Sequence, residues 1–126
     1  MILADTSVWM RHLRDGNAAL AAALGRAEVW THPWVVGELA CGSLKDRDVV
    51  LGLLRALPMA PVASDDEALA LIGRRSLMGR GIGWVDVQVL ALALLAGVRL
   101  WTLDRRWRRP TLPPSPTPTR AARCRP

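Results

Sequence analysis

A chain of 126 residues, 51% of them hydrophobic, has room for one domain around one apolar core and too few residues for two. Its longest apolar run, residues 87–98, is interrupted by Gln88 and Gly97 and is too short for a bilayer span, and no charged leader followed by an apolar block opens the chain, so a cytoplasmic protein is expected. The net charge of +6 does not describe the whole chain: residues 105–126 carry seven of the 17 basic residues and no acid, leaving ten basic against 11 acidic residues before them, so the expected folded part is not a basic nucleic-acid binder by bulk charge.

Ile2-Leu3-Ala4 predicts a buried first strand that delivers Asp5 at its C-terminal end. Thr6 and Ser7 are expected to cap a helix over 8–14 whose Trp9 and Leu13 share a face. Asp15-Gly16-Asn17 is turn chemistry, 18–24 a second helix stopped by Gly25, and 28–31 a strand. His32-Pro33 opens a helix to about Leu44, with Val35, Leu39 and Gly42 on one stripe and Glu38 beside it. Residues 46–57 form another helix with Val50, Leu53, Leu54 and Leu57 as its apolar stripe. Two prolines make 58–63 a short extended stretch, and Ser64 with Glu67 forms a capping box that opens a helix to about Met78.

Residues 79–83 are a glycine-rich connection without the signature of a phosphate-binding loop. A strongly apolar helix over 84–95, with Asp86 in its first turn, closes at Gly97; a strand over 98–102 leads to Asp104. This alternation calls for a short parallel sheet covered by helices, a three-layer α/β/α sandwich with four strands. From Pro110 on, five prolines in nine residues argue for a disordered tail, which divides the chain into a domain over 1–109 and a Pro/Arg-rich tail over 110–126.

Asp5, Glu38, Asp86 and Asp104 therefore fall at the joints of strands and helices. Strand ends of a parallel sheet gather along one edge, so the four can converge into one oxygen-ligand pocket. Gathered carboxylates raise one another's pKa unless a cation relieves them, and an all-oxygen set without His or Cys favours magnesium, with manganese as the alternative, over zinc. Such a cation polarises a phosphoryl oxygen and activates water, which is the chemistry of phosphodiester hydrolysis. Asp5 is expected as central ligand, Asp86 and Asp104 as further ligands, Glu38 as ligand or water-orienting base, and Ser7 as a partner of a ligand carboxylate or a substrate phosphate.

Plainer readings exist for each acid. Asp86 can complement its helix dipole and Asp104 can begin a turn. Asp5 and Glu38 resist such explanations, since an acid closing a buried strand or riding an apolar helix should need a partner. His12 and His32 receive no catalytic role. The six tryptophans are expected mainly in the core, with Trp9 and Trp34 available for an interface. Cys41 and Cys124 are not expected to form a disulfide, and Cys41 is expected to be a small buried hydrophobe.

Four segments, Ile2-Leu-Ala-Asp-Thr-Ser-Val-Trp9, His32-Pro-Trp-Val-Val-Gly-Glu-Leu39, Gly83-Trp-Val-Asp-Val87 and Leu100-Trp-Thr-Leu-Asp-Arg-Arg106, resemble in order and spacing the PIN-domain ribonucleases, specifically the VapC-type toxins of type II toxin–antitoxin systems. The resemblance covers about residues 1–107. It implies an α/β/α sandwich, a magnesium- or manganese-dependent endoribonuclease acting on RNA, a homodimer, and a small VapB-type antitoxin that docks near the acidic pocket. The family's acids fall on Asp5, Glu38, Asp86 and Asp104, and its hydroxyl positions on Ser7 and Thr102. Members usually continue into a further helix and closing strand; the Pro/Arg-rich tail departs from this, so a missing edge strand and lowered stability are expected. Two other readings compete. A phospho-aspartate enzyme using Asp5 would usually carry a second Asp at position 7 and a nearby lysine, whereas Ser7 stands there and Lys45 is the only lysine. A catalytically impaired domain that binds RNA or protein would keep the scaffold alone.

Overall fold

The computed structural model describes residues 1–107. Three strands, β1 (Ile2–Ala4), β2 (Val29–Trp30) and β3 (Arg99–Trp101), form a parallel sheet of order β2-β1-β3. Six helices complete the described fold: α1 (Thr6–Asp15), α2 (Ala18–Gly25), α3 (Pro33–Cys41), α4 (Arg47–Ala56), α5 (Asp65–Arg74) and α6 (Trp84–Ala96). A 3-10 turn over Arg105–Trp107 follows β3. Among the described residues no helix is long and apolar enough to cross a membrane.

The register pairs Ile2 with Val29 and with Arg99, so β1 is the central strand. Leu3 and Ala4 are wholly buried, as a strand flanked on both edges and covered on both faces must be. The fourth expected strand, 58–63, reduces to one parallel bridge between Met59 and Thr31. Thr31 N donates to Pro58 O and Ala60 N to Thr31 O, but Pro58 and Pro61 have no N–H with which to extend the ladder.

From β1 the chain steps through α1 and α2 to β2 and, past α3 and α4, to the Met59 bridge; it then returns through α5 and α6 to the opposite side of β1. Crossovers of the usual right hand in opposite directions put the two sets of helices on opposite faces, the arrangement the expected sandwich calls for. Two apolar clusters match this division. One gathers Leu3, Val8, Trp9, Leu20, Val29, Val35, Leu39 and Leu54, and the other Ala63, Ala68, Leu77 and Trp107. Helix α6 feeds both, through Val89, Leu92 and Ala93 on one side and Val87, Leu90 and Ala91 on the other.

Several helix ends differ from expectation. Asp5 itself, and not Thr6 or Ser7, caps α1. Helix α3 stops at Cys41 because Gly42 turns extended, and α5 stops at Arg74, before Ser76 with φ of 50°. Gly97, in the left-handed conformation that a residue with a side chain avoids, ends α6 where expected. Leu13 and Leu53 are exposed although their expected stripe partners Trp9 and Leu54 are buried, because each helix buries a narrower stripe than its apolar residues mark out. Cys41 is exposed near the end of α3, not buried as expected. Trp9 lies in the core and is closed to an interface; Trp34 is half-buried. The tail expected over 110–126, Cys124, and the expectation that a closing helix and strand are missing all fall outside the described residues, as do the last two positions of the expected 1–109 domain.

Candidate functional site

In a sheet of order β2-β1-β3 the connections leave β1 on one side and arrive on the other, so the crevice at the C-terminal ends of β1 and β3 is the switch point where such folds bind ligands. Asp5 closes β1 at that point, and Asp104 follows β3. The two strand ends are tied together. Asp5 N donates to Trp101 O at 3.0 Å, and the Ser7 hydroxyl accepts the Leu103 amide at 2.9 Å.

Asp5 is 7% exposed and caps α1: its Oδ1 accepts from the Ser7 amide at 3.0 Å, the Val8 amide at 3.3 Å and the Ser7 hydroxyl. The burial of this acid therefore has a structural explanation after all, one that the expected Thr6 or Ser7 cap concealed. Among the described residues no donor is directed to Oδ2, which leaves half of the carboxylate uncommitted.

Glu38 is exposed on α3, so the expectation that it suffers on an apolar helix is corrected: it stands on the side the helix turns to water. It is nevertheless held, because Thr6 Oγ1 donates to Glu38 Oε1 at 2.7 Å. Trp34 and Trp84 meet edge to face, with ring centroids 6.4 Å apart, and bring the first turns of α3 and α6 together.

Asp86, at the third position of α6, accepts the Gly83 amide at 3.3 Å, so the helix-start reading of this residue is correct as far as it goes. A second influence acts on it. Its pKa is pushed up, first by desolvation; the Gly83 amide and Arg106 oppose this, while the carboxylates of Glu38 and Asp5 push in the same direction as burial. The acids that follow β1 and ride α3 thus act on the one that opens α6.

Asp104 accepts its neighbour's side chain. Arg106 Nε and Nη2 grip Asp104 at 2.9 Å and 2.5 Å, the Arg106 amide donates to Oδ1 at 3.0 Å, and this pairing pulls the Asp104 pKa down. Thr102 Oγ1 accepts the Asp104 amide at 3.0 Å and fixes the turn. Arg106 Nη2 also lies 3.6 Å from Asp86 Oδ2, and Nη1 donates to the Gly81 carbonyl. One guanidinium therefore spans the two acids that leave β3 and open α6.

As they stand, no three acidic, His or Cys side chains among the described residues are gathered closely enough to hold a metal ion. The donor set nonetheless suits a hard cation in kind. It is all oxygen, two of its carboxylates disfavour the charge on Asp86, and a cationic group of the protein already lies on Asp86 and Asp104. Thr6 and Arg106 were not singled out as site residues from the sequence. Their only signal is position, one residue past Asp5 and two past Asp104.

A short parallel sheet, helices on both faces and acids at the switch point define a PIN-like fold, and the PIN domain family model matches residues 2–111. This chain belongs to the PIN-domain family. It is 55% identical over 107 residues, 84% of this chain and 86% of the relative, to ribonuclease VapC32 of Mycobacterium tuberculosis, with the same figures in strains CDC 1551 and H37Rv. Among solved structures, VapC20 of the same species, described as a sarcin–ricin loop cleaving toxin, superposes with a TM-score of 0.59 at 19% identity. That match covers 90% of this chain and all of the other, and it bears on the fold.

Proposed function

We propose that this chain is the toxin of a type II toxin–antitoxin pair and acts as an endoribonuclease that hydrolyses RNA phosphodiester bonds. The observation that carries this reading is that Asp86, opening α6, feels the carboxylates of both Asp5 and Glu38, in a chain 55% identical to a ribonuclease over most of its length. RNA is the substrate and a small VapB-type antitoxin the protein partner, by likeness to the VapC relatives; a homodimer is part of the same reading.

Asp5, Asp86, Asp104 and Glu38 would hold magnesium, or manganese in its place. The cation, when bound, supplies charge that polarises the scissile phosphate and lowers the pKa of a water molecule. The protein's own part is positioning. Ser7 keeps Oδ1 of Asp5 engaged, so Oδ2 is the oxygen free for the site. Thr6 aims Glu38 from the side, where that exposed carboxylate can orient an attacking water and accept its proton. The Ser7–Leu103 bond fixes the distance between the strand ends that carry Asp5 and Asp104.

The test is cleavage of RNA by the purified protein with magnesium, with EDTA, and with Asp5→Asn. Magnesium-dependent cutting that EDTA and the substitution both abolish is expected. Cutting by Asp5→Asn at the parent's rate would show the site to be elsewhere.

A further inference from the structure

Arg106 is placed with more care than a surface arginine requires. Its amide and side chain engage both oxygens of Asp104, Nη2 reaches Asp86 at 3.6 Å, and Nη1 is held by the Gly81 carbonyl in the loop before α6. The next residue, Trp107, is 1% exposed in the second apolar cluster, so the turn that presents Arg106 is anchored from below. The side chain itself is 48% exposed, and its guanidinium can leave for water without an uncompensated desolvation cost.

We infer that Arg106 is a resident counter-cation of the acidic site, which holds Asp86 and Asp104 in the metal-free protein and must release them for a divalent cation to bind. This rests on the metal-dependent reading above. Gathered carboxylates need a positive charge nearby, and the guanidinium supplies one from within the chain. The oxygens it uses on Asp104 and Asp86 are those a divalent ion would need, so the two cations compete for the same acids. The Gly81 carbonyl gives Arg106 a partner that does not depend on the acids, which keeps it near the site after displacement. A purely preorganising arginine would act in the opposite sense: its loss would scatter the acids and weaken metal binding.

The experiment is titration of the full chain with Mn2+, followed by electron paramagnetic resonance of the free ion, for the parent, Arg106→Gln, Arg105→Gln and Asp5→Asn. Arg106→Gln is expected to bind Mn2+ about three- to tenfold more tightly, the scale of losing one partly exposed ion pair as competitor. Arg105→Gln, which removes the same charge one residue away, is expected to leave affinity unchanged. Should Arg106→Gln fail to melt cooperatively in EDTA, Arg106→Lys replaces it, since an ammonium lacks the planar fork and tightening is again expected. Unchanged or weaker binding by the Arg106 variant, or equal tightening by Arg105→Gln, overturns the inference; loss of binding in Asp5→Asn then leaves the metal reading standing. If neither the parent nor the Arg106 variant binds Mn2+ at millimolar concentration, both readings fall.

Discussion

The hydroxyl of Ser7 accepts the backbone amide of Leu103 at 2.9 Å across 96 residues of sequence, while its own proton goes to Asp5. This one side chain joins the end of β1 to the end of β3 and orients the carboxylate between them. Ser7→Ala leaves the part-buried Leu103 amide without its partner, a loss of about 1–2 kcal/mol. A lower melting temperature together with at least about tenfold slower RNA cleavage is expected. Unchanged melting would mean that the strand ends are held by the backbone ladder alone.

Asp5 caps α1 and is proposed as an acid of the site, and the two duties can be separated. Asparagine caps a helix about as well as aspartate, so Asp5→Asn should cost less than about 0.5 kcal/mol, whereas Asp5→Ala should cost about 1 kcal/mol. Both should abolish cleavage. Chemical denaturation of the pair, read beside their activity, distinguishes the duties; equal destabilisation of the two would show that the cap is not what Asp5 contributes.

Thr6 holds Glu38 through one exposed hydrogen bond of 2.7 Å, so removing it should scarcely touch stability. Thr6→Val is expected to lower kcat by up to about tenfold with little change in KM for RNA, and Thr6→Ser to restore it. A change confined to KM would assign Thr6 to substrate binding and not to positioning of Glu38.

His32 is wholly buried, its Nδ1 accepts the Trp34 amide to start α3, and desolvation lowers its pKa to about 4. The folded value lies below the ordinary 6.5, so between those values the unfolded chain binds the proton and the folded one does not. The stability this neutral imidazole lends is complete above pH 6.5 and drains away as pH falls toward about 4, by roughly 2–3 kcal/mol. His32→Asn retains a cap acceptor and should flatten that slope. Urea unfolding of both proteins at several pH values in this window provides the comparison; parallel slopes would refute the assignment.

The turn chemistry and the existence of the helices were readable because local rules decided them, although the buried stripes of α1 and α4 proved narrower than their apolar residues suggest. Gly97 and the Ser64–Glu67 box ended or began helices where expected, and β1 fell on Ile2–Ala4. The stretch 58–63 misled because extended backbone is a property of two prolines, while strand pairing needs N–H groups they lack. At the proposed site, the places of Asp5 after β1, Asp86 in the first turn of α6 and Asp104 after β3 were legible from the sequence. What could not be read was how they are engaged: that Asp5 caps its own helix, that Glu38 faces water, and that Arg106 lies across Asp104 and Asp86. Each depends on rotamers and through-space neighbours that linear spacing leaves undetermined.

Helix α6 supplies side chains to the apolar clusters on both of its flanks and also carries Asp86. Heat or denaturant therefore has no seam along which to peel one layer from the other, and melting should be all-or-none. Species that keep Asp5 and Glu38 ordered while Asp86 is lost should not accumulate. An enzyme built this way is either whole or unfolded, so its activity in a cell has to be governed by what binds to it and how much of it is made.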